Sequence, residues 1–156
     1  MSYTVLSAAD AFWRPSNQLG VLNTDLAKQL GATAMGARMW HLRPGQASTW
    51  HRHGEEQELY VVLEGTGRVR IGGGAAEGEA GTAEVAGAER LTLPPLSALL
   101  VQPRTLRQVF NDTDADVLWL VVGAPPEPAN TLEMTPERLA DMYPEGPRSL
   151  PPELRG

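Results

Sequence analysis

Apolar positions in this chain come as short runs, each closed by Gly, Pro, Asn or Asp, and not at the three-to-four spacing of long amphipathic helices. The runs fall at 34–42, 48–53, 59–63, 67–71, 90–93, 99–102, 107–110 and 117–122. Short, closely spaced strands with turn residues between them predict an antiparallel sandwich or barrel. Arg43-Pro44-Gly45 and Glu64-Gly65-Thr66-Gly67 have the chemistry of tight turns. Alternation is cleanest at 67–71, where Val69 and Ile71 share one face while Arg68 and Arg70 are expected on an exposed one. The runs 59–63 and 117–122 are apolar on both faces. Such strands are expected to be covered twice, once inside the barrel and once by a partner or a terminal segment.

Other stretches break the pattern. Residues 72–88 mix Gly, Ala and Glu without a period and predict a long loop. After Gly123 the chain turns proline-rich, and Thr135-Pro136-Glu137 places an N-cap, a first-turn proline and an early acid at the start of a helix reaching about Tyr143. A second short helix is predicted over 23–30, stopped by Gly31.

Composition narrows the partners. Lys and Arg number 13 against 19 Asp and Glu, a net charge of −6, which argues against a phosphate-backbone partner. No apolar run approaches a membrane span, and residues 1–10 lack the basic-then-apolar pattern of a signal peptide. The absence of cysteine excludes disulfides and thiol catalysis and fits a reducing compartment, so a cytoplasmic location is expected.

The densest chemistry lies between Gly45 and Gly65. His51 and His53 are one residue apart, and Glu58 follows four residues after His53. Side chains at i and i+2 of a strand share a face, so the two imidazoles can converge. A carboxylate from a paired strand, about 5 Å away, can join them. Two imidazoles and a carboxylate suit a divalent transition metal: Fe, Mn, Ni or Zn.

Gly45, His51, His53, Glu58 and Gly65 stand at the spacings of the first motif of the cupin superfamily, which the chain resembles. That resemblance implies an all-β double-stranded β-helix, a jelly-roll barrel, over residues 34–124. It leaves a flanking segment at 1–33 and a Pro-rich segment with a short helix at 125–156. The second motif keeps its spacing but not its residues. Leu96 and Arg104 stand where the family has glycines, Gln102 where it has proline and Arg107 where it has a histidine ligand; Asn111 is retained.

A guanidinium has no lone pair to give a metal. Three placements of Arg107 are open: facing out of the barrel, pairing with Glu58 in the metal's place, or clamping an anionic group of a substrate. Tyr60 shares the strand face of Glu58 and is a candidate cavity residue. His41, the remaining histidine, is a candidate replacement ligand or substrate contact. Glu55 and Glu56 are expected in solvent, or in the place of Glu58 if the register differs by a residue or two. The resemblance implies a small-molecule ligand and a homodimer. The sequence leaves open whether the site serves a metal-dependent enzyme or a metal-free binding protein.

Overall fold

The computed structural model describes residues 1–72 and 87–156, and places nine strands in two sheets. The strands are β1 (Arg14–Pro15), β2 (Leu22–Asp25), β3 (Gly36–Leu42), β4 (Gln57–Glu64), β5 (Gly67–Ile71), β6 (Glu89–Leu93), β7 (Ala98–Val101), β8 (Arg107–Phe110) and β9 (Val117–Ala124). One sheet runs β1-β2-β3-β9-β4-β7 and the other β6-β5-β8, and the pairings are antiparallel. The expected all-β jelly roll is thus the observed fold. The loop expected over 72–88 falls mostly on residues outside those described.

The core follows from strand alternation. Tyr60 and Val62 of β4, Val69 of β5, Val101 of β7, Val109 of β8 and Val117, Trp119 and Val121 of β9 are buried and pack as one cluster with Leu42. Burying side chains of this kind is worth about 1.5–3 kcal/mol each. Two motif glycines have backbone reasons. Gly45 and Gly65 hold φ of +82° and +79°, and a Cβ on Gly65 would meet the Asp116 carbonyl oxygen at 2.4 Å. Leu96 and Arg104, at the glycine positions of the second motif, also sit at positive φ, +65° and +66°. The backbone turn has survived the loss of the residue that favours it.

Three expectations need correction. Residues 22–25 form a strand, because they pair with Arg38–His41 of β3. The helix expected over 23–30 is therefore only α1, Leu26–Leu30, with the Asp25 side chain accepting from Lys28 N–H as its cap. Residues 48–53 run beside β8 but touch its ladder only at His51↔Arg107, with Ala47↔Phe110 just upstream.

Arg70 is buried, not exposed: its guanidinium lies 3.9 Å above the Trp50 ring and pairs with Glu145 at 2.7 Å. The C-terminal segment covers that side of the small sheet, with Gln108 donating to the Ser149 and Ser48 carbonyls. The second helix, α2, spans Pro136–Met142 with Thr135 as its cap, close to the expected bounds. Among the described residues, no helix is long and apolar enough to cross a membrane.

Candidate metal centre

Strand geometry builds the site from three directions. β4 turns Glu58 and Tyr60 inward, alternating with the outward Leu59 and Val61. The 47–53 segment lies against β8, and His51 exchanges both backbone hydrogen bonds with Arg107, at 3.1 and 2.9 Å. The residue in the fourth-ligand position is therefore the direct cross-strand partner of the first histidine.

Ligand atoms of His51, His53 and Glu58 all lie within 4.8 Å of one another. Glu58 Oε1 is the meeting point, 3.7 Å from His51 Nε2 and 3.3 Å from His53 Nε2. The outer nitrogen of His51 is hydrogen-bonded, and that of His53 is not. His51 Nδ1 lies 2.9 Å from the Thr49 carbonyl oxygen, to which it can only donate, so Nε2 carries the lone pair toward the site. His53 Nδ1 faces two carboxylates, Glu127 at 3.4 Å and Glu56 at 3.7 Å.

Arg107 faces into the barrel and pairs with Glu58. Its side chain is fully buried, and Nη2 and Nε donate to Glu58 Oε1 at 2.7 and 3.1 Å while Nη1 donates to the Thr105 carbonyl at 2.7 Å. All three nitrogens are engaged within the protein. Tyr60 also donates to Glu58 Oε1, at 2.8 Å. His41 sits on the other face of β3, with Nε2 2.7 Å from Asp116 Oδ2, away from the cluster.

The acids titrate as this packing dictates. Burial alone would raise the Glu58 carboxyl, but the two histidines beside it and the Arg107 charge hold it well below its ordinary value. Burial pushes His51 down. Burial pushes against a charged His53 too, but the hydrogen bond to Glu58 and that carboxylate's charge keep it above its ordinary value. Burial raises Glu56.

Glu56 and Glu127 were not legible as site residues. Glu56, expected in solvent, is buried because Gly123 leaves it room: a Cβ there would lie 1.7 Å from Glu56 Oε1. Its Oε2 accepts from Glu127 N–H at 2.9 Å. Glu127 in turn accepts from the backbone N–H groups of Gly54, Glu55 and Glu56, which tie the turn after His53 to the C-terminal segment.

A cavity of about 710 Å³ opens over the cluster. His51, His53, Glu58 and Tyr60 line its floor, Trp40 and Arg38 of β3 its wall, and residues from both flanks its rim, including Asn23, Asp25, Pro128 and Tyr143. Arg38 bridges Asn23 and Asp25, at 3.0 and 2.8 Å.

The donor set fits a divalent cation. Two imidazole nitrogens and a carboxylate oxygen converge, His51 has an outer acceptor of the kind that fixes a metal ligand, and Arg107 donates to the carboxylate.

The sequence matches the Cupin domain family over residues 38–123, and the chain belongs to that family. No curated protein matches it. Among solved structures it is similar to a sugar phosphate isomerase from a cupin superfamily of Silicibacter pomeroyi, at 21% identity over 79% of this chain and 76% of that one, with a TM-score of 0.62. A predicted oxalate decarboxylase from Thermotoga maritima gives 18% identity, coverage of 78% and 98%, and a TM-score of 0.60. A cupin protein from Bacteroides fragilis gives 19%, 86% and 97%, and 0.58. At these identities the likeness carries the fold.

Proposed function

We propose that this cupin holds a divalent transition metal on His51, His53 and Glu58 and uses it to bind a small, oxygen-bearing molecule in the barrel cavity. The observation that carries this is the convergence of two imidazole Nε2 atoms on Glu58 Oε1, with His51 fixed in the ligating tautomer by the Thr49 carbonyl. A bound metal supplies Lewis acidity, polarising an oxygen of the small molecule. The chain's own groups do the rest. Arg107 and Tyr60 orient the Glu58 carboxylate, Glu127 and Glu56 face His53, and Arg38 and Trp40 offer contacts along the wall. The isomerase and decarboxylase names of the distant structural relatives agree with chemistry on small oxygenated substrates.

Elemental analysis of tag-free protein purified without chelator tests this. Near one equivalent of Fe, Mn, Ni or Zn per chain is expected, lost in His51→Ala. A wild type that stays metal-free after incubation with Fe or Mn sinks the proposal. It would leave the second reading, favoured by the buried Arg107–Glu58 pair: a binding protein whose guanidinium supplies the positive charge.

The reading includes a homodimer. The outer face of the larger sheet presents Leu59, Val61, Leu100, Leu118, Leu120 and Val122, with Leu59 and Leu100 exposed. Tyr3, Val5 and Phe12 of the first flank are also exposed, and a second copy is the cover this reading assigns them.

A further inference from the structure

The Pro-rich segment beyond the family match does more than cover the small sheet. It is fastened beside the site by Arg52, the residue between the two histidines. Strand alternation turns Arg52 away from His51 and His53, and there its Nε donates to the Asp141 carbonyl and its Nη2 to Asp141 Oδ1, each at 2.8 Å. Arg104 pairs with the same carboxylate at 2.8 Å, and Arg52 N–H donates to the Met142 carbonyl at 3.0 Å.

The residue delivered by these contacts is Tyr143. It is 6% exposed and lines the cavity with His51, His53 and Glu58. Its ring centroid is 6.1 Å from that of His51, with the planes inclined at 36°. Within the described residues its hydroxyl donates no hydrogen bond, unlike Tyr60, whose hydroxyl is spent on Glu58. The hydroxyl is not among the sealed polar atoms that lack a partner, so it opens to the cavity that the residue lines. A phenol is protonated at neutral pH, so what it lacks is an acceptor.

Resting on the metal reading above, we propose that Tyr143 is a ligand-contact residue: its hydroxyl donates a hydrogen bond to the small molecule bound at the open positions of the His51–His53–Glu58 centre. The barrel supplies the metal ligands and the added C-terminal segment supplies the donor. A hydrogen bond to a charged acceptor contributes about 1.5–3 kcal/mol, a factor of roughly 10–100 in affinity.

The test uses full-length protein loaded with Co(II) and titrated with azide, a small anion that fills open positions, followed in the visible spectrum. Wild type and Tyr143→Phe are expected to bind Co(II) with the same affinity and to melt at the same temperature, since the hydroxyl holds nothing in the protein. Azide is expected to bind Tyr143→Phe at least 10-fold more weakly. Equal azide affinity in the two proteins overturns the proposal. So does a Co(II)-loaded wild type that takes no azide, because the centre then has no open position for Tyr143 to face. A wild type that takes up no Co(II) removes the metal reading itself, a result separable from the other two.

Discussion

Replacing Arg107 by methionine tests the arrangement at its most committed point. The guanidinium is fully buried and makes four hydrogen bonds, two of them to Glu58 Oε1 and one to the Tyr60 hydroxyl. Arg107→Met keeps the length and most of the volume of the stem but removes the charge. Glu58 is then a buried carboxylate left with Tyr60 at 2.8 Å and His53 at 3.3 Å. Removing one partner of a buried pair typically costs about 3–5 kcal/mol. Because His53 takes up part of the Glu58 charge, the lower end applies, roughly 3 kcal/mol. For a domain of this size each kcal/mol moves the melting temperature by about 2–4 °C, so a fall of about 6–12 °C is expected in chelated protein.

Urea unfolding of wild type, Arg107→Met, Glu58→Gln and the double substitution gives the coupling directly. A coupling of about 2 kcal/mol or more is expected, since the two side chains are in contact. Adding Zn(II) should narrow the gap between Arg107→Met and wild type, because a cation bound to Glu58 replaces part of what the guanidinium gave. A loss below about 1 kcal/mol, or additive single substitutions, would refute the view that Arg107 holds Glu58 in place.

Two further outcomes follow from features away from the cluster. Leu96→Gly should stabilise the protein by roughly 0.5 kcal/mol in chemical denaturation. A side chain at positive φ costs about 1–2 kcal/mol, offset by the greater freedom glycine loses on folding, and Leu96 is 78% exposed with little packing to lose. Sedimentation equilibrium should give twice the 16.8 kDa chain mass, and Leu59→Lys together with Leu100→Lys should shift it to the monomer; a monomeric wild type rules out the dimer.

Much of the barrel was legible because its strands announce themselves through alternation and turn residues. β5 and β8 have the bounds read from the sequence, and the spacing of His51, His53 and Glu58 within the first motif pointed to side chains that do converge. What was not legible depends on contacts between distant parts of the chain. Nothing local marks Leu22–Asp25 as a strand; β3 makes it one. Glu56 reads as a solvated turn acid, and its burial depends on a glycine 67 positions later. Arg70 alternates like a surface residue and is buried because Glu145 and Trp50 meet it from outside the small sheet. Tyr143 reads only as the end of a short helix, and nothing local places it at the cavity. The inward turn of Arg107 was one of three open placements, and the presence of Glu58 and Tyr60 on the facing strand decides it.

The three-residue peptide His51-Arg52-His53 answers to two constraints at once. Its odd positions face the cavity, and its middle position grips a helix that lies outside the residues of the family match. Insertion or deletion of a single residue there would exchange the two faces, sending arginine into the cavity and the imidazoles onto α2. The chain is therefore free to drift at either flank and in the length of its turns, but not in the register of these three residues. A homologue that keeps both histidines yet lacks an acid at the Asp141 position would mark a barrel with the same cluster and a differently fastened C-terminal segment.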